Sequence, residues 1–185
     1  MSLGRLRCDA VLFDGTGTLF APWPSVGAVY GEVTKAFGMD GTAEELDAGF
    51  RAAWRDRSPL RFMHDAERRT SNAEEQARWR QTVRLAFEHA GLPEPGAGCF
   101  EALSERFGEA RSWRLFDDVV PTLTTLREQG LLLGVVSNFD SRLNRICRGL
   151  GLTPLLDVVV ASAEVGHAKP ARAIFDAAVA GIGVP

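Results

Sequence analysis

The fold of this chain is decided by a short stretch at residues 11–20, which reads VLFDGTGTLF. Its apolar start belongs to the run CDAVLF at 8–13, and short, nearly continuous runs of this kind are typical of strands buried in a parallel sheet. Two similar runs follow, LLLGVVSN at 131–138 and LDVVVAS at 156–162. Apolar residues at helical spacing lie before, between and after these two runs. The alternation of strands and helices predicts right-handed crossovers and a doubly wound parallel α/β sheet.

The turn after the first run carries a candidate nucleophile. Asp14 stands at the carboxyl end of the predicted strand, where open α/β sheets bind their ligands. Gly15 and Gly17 permit a tight turn whose main-chain N–H groups can face an anion, and Thr16 and Thr18 add hydroxyl groups. A carboxylate beside such donors suits attack on a phosphoryl group, so Gly15 and Thr18 are candidate substrate-binding residues. The alternative interpretation is an Asp that ends a strand and caps a turn.

Two further strand ends carry polar side chains. Ser137 and Asn138 follow the second run, where a hydroxyl and an amide can hold a phosphate oxygen. Lys169 follows the third run, in GHAKP, where an ammonium group can neutralise the charge that develops in phosphoryl transfer. Taken singly, each has a simpler explanation, since Asn138 can cap a helix and a lysine before proline is usually a surface residue. All of them lie just past a predicted strand, which is where such sheets form their sites.

A long helical insertion separates the first strand from the rest of the sheet. Between about residues 20 and 112 the sequence shows no strand-like run. Amphipathic patterns predict helices there in GAVYGEVTKAFG, AEELDAGFRAAWRDR, AEEQARWRQTVRLAFEHAG and CFEALSERFGEARSW. We therefore predict an α/β core made of residues 1–19 and 113–185 and an all-helical cap at 20–112. An insertion after strand one lies near the carboxyl ends of the strands, where it can close over the site as a lid.

Composition and charge argue against several classes of protein. The 185 residues are 45% apolar and carry a net charge of −3 with a pI of about 5.7, which disfavours a nucleic-acid-binding protein. No apolar run approaches the ~18 residues that a membrane-spanning helix needs. The three cysteines, Cys8, Cys99 and Cys147, are scattered without paired spacing, so we interpret them as reduced thiols of a cytoplasmic protein.

Three motifs occur in order along the chain: DGTGTL at 14–19, SN at 137–138 and KP at 169–170. They lie within longer segments that extend the match over essentially the whole chain, namely VGAVYGEVTKAFG, RWRQTVRLAFEHAGL, VVSNFDSRL and ASAEVGHAKPARAIF. Together these features resemble the haloacid dehalogenase-like (HAD) hydrolase superfamily. The closest likeness is to the subfamily in which a helical cap is inserted after strand one of a Rossmann-like core.

The resemblance implies a role for each matching residue. Asp14 would be the nucleophile that forms an aspartyl-phosphate and, together with the main-chain carbonyl of Thr16, a ligand of Mg²⁺. Ser137 and the amide of Asn138 would bind the phosphate of a small phosphorylated or other anionic substrate. Lys169 would pair with Asp14 and with the phosphoryl oxygens, and closure of the helical cap would exclude water.

The sequence departs from the family pattern at Thr16. Phosphatases of this superfamily usually carry a second Asp at this position, which protonates the leaving oxygen and then activates water. Thr16 cannot act as a carboxylate acid or base, so the resemblance predicts a slow phosphatase. Two alternatives stay open: a 2-haloacid dehalogenase, in which the halide leaves without a proton, and a non-catalytic binding protein of the same fold.

A second departure concerns the fourth motif of the superfamily, a strand ending in acidic residues that complete the Mg²⁺ site. This strand should follow the helix ARAIFDAAVAG at 171–181, and the sequence stops at Pro185. We therefore expect carboxyl-terminal strands of the core to be absent from this chain and the Mg²⁺ site to lack part of its carboxylate shell. Strand one would then be an apolar edge, so we expect either self-association through this strand or a carboxyl-terminal segment missing from this sequence.

Overall fold

The structure is a computed structural model that describes residues 8–56 and 68–183. The predicted domain bounds also include 1–7, 57–67 and 184–185, which lie outside the described residues. None of the described helices is both long enough and apolar enough to cross a bilayer. In chain order the elements are β1 (Ala10–Phe13), β2 (Phe20–Pro22), α1 (Val26–Thr34), α2 (Ala43–Asp56), α3 (Asn72–His89), α4 (Ala97–Phe107), β3 (Trp113–Leu115), α5 (Val119–Glu128), β4 (Leu132–Ser137), α6 (Arg142–Gly149), β5 (Val158–Ala161), α7 (Ser162–Val165) and α8 (Arg172–Ile182).

The core sheet consists of three parallel strands in the order β1–β4–β5, which confirms the predicted sheet. Phe13 of β1 is paired with Val135 of β4, and Ser137 at the end of β4 is paired with Ala161 of β5. This register aligns the carboxyl ends of the three strands at one edge of the sheet. Within the described residues β1 has a strand neighbour on its β4 side alone, and self-association through its other side stays a prediction.

Helices cover both faces of the core sheet. On one face Ile174 of α8 packs with Val136 of β4 and Val160 of β5. The opposite face carries Val135, which belongs to the large buried cluster that also contains Leu123 of α5. Neighbouring residues of a strand point to opposite faces, so the continuous apolar runs of the sequence are explained by burial on both sides. The doubly wound α/β class is therefore confirmed.

The insertion folds as a bundle of α1, α2, α3 and α4 at the places where the sequence predicts helices. Tyr30 of α1 is buried at its centre, with its ring centroid 5.7 Å from those of both Phe87 and Phe107. The Trp113 ring, where the chain re-enters the core, lies 5.9 Å from the Phe107 ring and 6.0 Å from the Phe139 ring. Because these aromatic side chains are in contact, the bundle and one face of the sheet share a single hydrophobic core.

The boundary of the insertion differs from the prediction. Residues 20–22, expected to begin an all-helical cap, form the strand β2, which pairs antiparallel with β3. Phe20 lies opposite Leu115, and Pro22 lies opposite Trp113. Three residues are too few to show an alternating pattern, and their partner is far away in the sequence, so only the tertiary context creates this pair. The chain enters the insertion through β2 and leaves it through β3, which together form a two-stranded antiparallel ribbon.

Gly49 marks a close approach of α2 to α3 and supports a stability prediction. A Cβ atom at this position would lie 2.1 Å from the main-chain oxygen of Ala86. We expect Gly49→Ala to lower the free energy of unfolding by about 1–3 kcal/mol, because relieving the overlap requires a shift of a helix backbone. Gly98→Ala in α4 is the matched control, since its Cβ would meet Phe37 at an ordinary 3.6 Å. Urea unfolding measures both variants, and equal stability of the two would contradict this packing.

Candidate active site

Three groups converge on one oxygen of Asp14. The Nζ atom of Lys169 lies 2.8 Å from Asp14 Oδ1, and the Ser137 hydroxyl donates to the same oxygen at 3.1 Å. The main-chain N–H of Gly15 donates to it at 2.7 Å. The Asp14 side chain is 48% exposed and that of Lys169 is 22% exposed, so the carboxylate is fixed and still open to solvent. Such a carboxylate is oriented for attack on a ligand that enters from outside.

The sheet explains why these side chains meet. Asp14 directly follows β1, and Ser137 is the last residue of the neighbouring strand β4. Lys169 arrives from beyond β5, after the short helix α7 and a left-handed residue at Gly166. Because the three strands are parallel, their carboxyl ends deliver these residues to the same edge. The structure therefore brings Asp14, Ser137 and Lys169 together, and their chemical roles stay predictions.

The glycine-rich turn offers fewer amide donors than the sequence suggests. Gly17 has a φ of +85°, a conformation that favours glycine. The N–H groups of Gly17 and Thr18 donate to nearby main-chain carbonyls at 2.8 and 3.2 Å, and that of Gly15 donates to Asp14. Within the turn, Thr16 alone keeps an N–H that has no hydrogen-bond partner among the described residues. Thr18 is exposed and can meet a substrate through its hydroxyl.

The Asn138 side chain contacts Lys169. Its Nδ2 donates to the Lys169 carbonyl at 3.2 Å, and its Oδ1 accepts the Lys169 N–H at 2.6 Å. Both polar atoms of the side chain are thus bonded to the main chain of one residue. The phosphate contact that the family resemblance implies for the Asn138 amide stays a prediction.

The insertion reaches the loop that carries Lys169. The Thr70 N–H donates to the Gly166 carbonyl at 3.0 Å, and the Ala168 N–H donates to the Arg68 carbonyl at 2.8 Å. These main-chain bonds form a small antiparallel bridge between the two segments. The sequence predicts a cap near the site and gives no sign of this contact, because main-chain hydrogen bonds leave no residue pattern. The lysine loop is braced by the insertion as well as by the sheet.

Glu75, at the start of α3, links the insertion to the ends of β4 and β5. Its Oε1 accepts hydrogen bonds from Thr70 Oγ1 at 2.9 Å and from Arg78 at 2.7 Å. The same oxygen lies 3.2 Å from the hydroxyl of Ser162, which in turn accepts the Phe139 N–H at 3.1 Å. Sequence analysis missed this network, although a capping pattern of Ser followed by Glu at 71–74 marks the helix start beside it.

Arg142 is a second contact between the insertion and the core. Its guanidinium group lies 2.8 Å from the carboxylate of Asp140, whose side chain is 2% exposed. It also donates to the Ser104 carbonyl of α4 at 2.9 Å and lies 5.2 Å from the Trp79 ring. An arginine that is satisfied by a carboxylate, a carbonyl and an aromatic face fixes these elements against one another. This pair also escaped sequence analysis, because Asp140 lies in the loop between β4 and α6, where no periodic pattern marks an ion pair.

The sequence matches a family model over nearly its whole length: the model described as haloacid dehalogenase-like hydrolase covers residues 8–185. This chain belongs to the haloacid dehalogenase-like hydrolase family. It is 33% identical to haloacid dehalogenase-like hydrolase domain-containing protein 3 of Danio rerio, over 98% of this chain and 74% of that protein. It is 31% identical to the ribulose-1,5-bisphosphate 5-phosphatase of Halopiger xanaduensis, over 90% of this chain and 68% of that protein.

A solved structure shares the fold of this haloacid dehalogenase-like hydrolase. The L-2-haloacid dehalogenase RSc1362 is similar with a TM-score of 0.70 and 27% identity, over 95% of this chain and 73% of that one. Relatives of this hydrolase thus include a protein named as a phosphatase and one named as a dehalogenase. The family is therefore established, and the choice between the two reactions depends on the residues of the site.

Two oxygen atoms of this hydrolase suit a magnesium ion. Asp14 Oδ2 and the main-chain carbonyl of Thr16 accept no hydrogen bond from the part of the chain that the structure describes. Magnesium prefers oxygen ligands and is usually held by one or two carboxylates together with substrate phosphates and water. Within residues 8–56 and 68–183 no group of three or more His, Cys, Asp or Glu side chains could hold a metal ion. The two free oxygens fit the magnesium that the family implies.

The buried cysteines of this hydrolase are not competing nucleophiles. Burial raises the pKa of the Cys99 thiol, and it raises the pKa of the Cys147 thiol to about 11. A thiol with a raised pKa stays protonated at neutral pH, and only the thiolate is a good nucleophile. Both side chains pack in the hydrophobic core, so Asp14 is the better candidate.

Proposed function

We propose that this hydrolase is a slow, magnesium-dependent phosphatase that acts on a small phosphorylated substrate through an aspartyl-phosphate on Asp14. The observation that carries the proposal is the convergence of Lys169 and Ser137 on Asp14 Oδ1. As a substrate arrives, an ammonium group and a hydroxyl can transfer their hydrogen bonds from the carboxylate to phosphoryl oxygens. The 31% identity to the ribulose-1,5-bisphosphate 5-phosphatase of Halopiger xanaduensis supports a phosphate ester as the substrate.

The first step is the attack of Asp14 Oδ1 on phosphorus. A new oxygen–phosphorus bond forms to Asp14, the bond to the leaving oxygen breaks, and the leaving oxygen takes its proton from water. Lys169 and Ser137 stabilise the charge on the transferred group, and the Thr16 N–H adds a main-chain donor. Magnesium held by Asp14 Oδ2 and the Thr16 carbonyl would supply further charge neutralisation. In the second step water attacks phosphorus, inorganic phosphate leaves, and the Asp14 carboxylate is restored.

Thr16 makes the second step slow. A carboxylate at this position could accept a proton from the attacking water, and a threonine hydroxyl cannot do so at neutral pH. General acid–base catalysis is typically worth about 10²–10⁴-fold in rate. The aspartyl-phosphate on Asp14 is therefore expected to accumulate during turnover.

A 2-haloacid dehalogenase is the second candidate function. It is favoured by the TM-score of 0.70 to the L-2-haloacid dehalogenase RSc1362 at 27% identity. Thr16 is compatible with this reaction as well, because a halide leaves without a proton. Asp14 would then attack carbon, the carbon–halogen bond would break, and water would hydrolyse the resulting ester.

Release of phosphate from an aryl phosphate, measured in Mg²⁺ and in EDTA, tests the proposal. We expect slow release that requires Mg²⁺, and no halide release from chloroacetate or 2-chloropropionate. Halide release without metal would make this protein a dehalogenase. A folded protein that binds phosphate and shows neither activity would be a non-catalytic binding protein of the family.

The setting of this reaction is proposed to be the cytoplasm. Cys8, Cys99 and Cys147 are all free thiols, which supports a reducing compartment. A small anionic substrate, rather than a nucleic acid, fits the net charge of −3.

A further inference from the structure

Lys169 lies on a loop that has little regular structure of its own. The residue belongs to neither a helix nor a strand, and it precedes α8 by a few residues. The residue after it is Pro170, whose nitrogen carries no hydrogen and so donates no hydrogen bond within the loop. Its Nζ atom nevertheless lies 2.8 Å from Asp14 Oδ1. A flexible side chain of four carbons reaches such a position reproducibly only if its own main chain is held in place.

Asn138 holds that main chain at two points. Its Oδ1 accepts the Lys169 N–H at 2.6 Å, and its Nδ2 donates to the Lys169 carbonyl at 3.2 Å. Only this orientation of the side-chain amide matches a donor with an acceptor at both contacts. Asn138 follows directly on Ser137, whose hydroxyl donates to Asp14. At the end of β4, Ser137 thus contacts Asp14, and the next residue, Asn138, contacts the main chain of Lys169.

Other roles of the Asn138 side chain fit the structure less well. The main-chain N–H of Arg142 at the start of α6 is bonded to Asp140 Oδ1 at 3.0 Å, so Asp140 rather than Asn138 meets the helix start. A contact between the side-chain amide of Asn138 and a phosphate would have to use the second hydrogen of Nδ2, because the first is donated to the Lys169 carbonyl at 3.2 Å and Oδ1 can only accept. The geometry favours a side chain that acts on Lys169.

We propose that Asn138 is a positioning residue whose side chain holds Lys169 over Asp14. This inference rests on the proposed function, in which Asp14 is phosphorylated and Lys169 stabilises the transferred group. Loss of the Asn138 amide removes both side-chain bonds to the Lys169 main chain, while the bonds of Ala168 and Gly166 to the insertion remain, so Nζ spends less time beside Asp14 Oδ1. The effect of Asn138 on the reaction therefore passes through Lys169.

A double-mutant cycle separates this role from direct binding of substrate. Asn138→Ala and Lys169→Met are made singly and together, and the rate of phosphoenzyme formation from acetyl phosphate in Mg²⁺ is measured in single turnovers. We expect Asn138→Ala to slow this rate by about tenfold in the unmodified protein, and by less than about twofold once Lys169 is Met. An equal loss in both backgrounds would show that the Asn138 side chain meets the substrate itself, and would overturn the inference.

Asn144→Ala is the matched control. Asn144 also donates through its side-chain amide to a segment beyond β5, at 3.2 and 3.0 Å from the two carboxylate oxygens of Glu164. It has no contact with Lys169, so its loss should leave the rate of phosphoenzyme formation unchanged. Asn138→Ser, whose shorter side chain cannot span both atoms of the Lys169 main chain, serves as a second variant should Asn138→Ala fold poorly.

Chemical labelling of lysine tests the inference without any enzyme activity. The chain contains two lysines, Lys35 and Lys169, so the exposed Lys35 is an internal reference. Competitive acetylation followed by peptide mass spectrometry gives the ratio of labelling at Lys169 to that at Lys35. We expect Asn138→Ala or Asn138→Ser to raise this ratio by about threefold or more, and Asn144→Ala to leave it unchanged.

The rate of phosphoenzyme formation and the lysine-labelling ratio together show whether the proposed function or the positioning role of Asn138 has failed. If the unmodified protein forms no phosphoenzyme, the proposed function fails, and the labelling ratio alone decides the role of Asn138. An unchanged ratio in folded Asn138 variants would overturn the positioning role, whatever reaction the protein performs.

Discussion

Asp14→Asn is expected to abolish phosphate release and covalent phosphorylation, a loss on the order of 10⁴-fold or more. An amide has no carboxylate oxygen to attack phosphorus, so no acyl-phosphate can form. The substitution is nearly isosteric, and the amide oxygen can still accept the hydrogen bonds of Ser137 and the Gly15 N–H, which now end on Asp14 Oδ1. The Asp14 side chain is 48% exposed, so its replacement leaves no buried group without a partner.

Asp117→Asn provides the control for this prediction. Asp117 is also a carboxylate in the loops around the sheet, its side chain is 96% exposed, and its ion pair with Arg114 is long at 3.7 Å. Removing this charge should leave phosphate release within about twofold, because exposed pairs contribute little. The measurement is phosphate release in Mg²⁺ together with acid-stable label on the protein, and thermal unfolding verifies that each variant is folded. Turnover of Asp14→Asn at the unmodified rate would eliminate the covalent mechanism.

The fold was predictable from sequence wherever a local pattern dictates it. The strands around Phe13, Val135 and Val160 are apolar on both faces because helices cover both, and such runs are visible without a structure. The helices of the insertion follow from amphipathic spacing. The ribbon of β2 and β3 was missed because Phe20 and Leu115 gain their pairing from residues distant in the sequence. Local propensity carries no information about a partner of that kind.

The site was predictable in its side chains and much less in its supports. Asp14 follows β1, Ser137 ends β4 and Lys169 lies beyond β5, so the topology of a parallel sheet brings them to one edge. The bonds that hold Lys169 in place end on main-chain atoms of its loop: the Asn138 side chain bonds to the N–H and carbonyl of Lys169, and the Arg68 carbonyl accepts the N–H of Ala168. Every residue has the same main-chain atoms, so a sequence motif does not show which main-chain group a side chain will bond to. Positioning groups of this type are found only from coordinates.

Those supports connect the insertion to the loop that carries Lys169. The Arg68 carbonyl and the Thr70 N–H are bonded to residues 166–168, immediately before Lys169. Glu75 accepts a hydrogen bond from Ser162 at the start of α7, the short helix that precedes these residues. The cap helices and the lysine are therefore parts of one packed unit. We therefore expect a movement of the insertion to move Lys169 as well.

Thr16→Asp is expected to speed the hydrolysis of the aspartyl-phosphate by about 10²–10⁴-fold, because it introduces a general base for the attacking water. Thr16 lies two residues after Asp14 in a turn, and its side chain is exposed, so a carboxylate there displaces no buried group. Its main-chain carbonyl and N–H keep their places because the turn is fixed by Gly17, at a φ of +85°. The variant should therefore retain phosphorylation and lose the accumulation of phosphoenzyme.

Thr16→Asn is the matched control, since it is nearly isosteric with Asp and cannot accept a proton from water. The unmodified protein and both variants are labelled with acetyl phosphate in Mg²⁺, the donor is removed, and the decay of acid-stable label on the protein is followed. Fast decay in Thr16→Asp alone assigns the effect to the carboxylate rather than to the shape of the side chain. Equal acceleration in both variants would instead place the effect in the geometry of the turn. Rapid turnover by the unmodified protein without detectable covalent phosphate would contradict the slow step at Asp14, because water would then already have an efficient base.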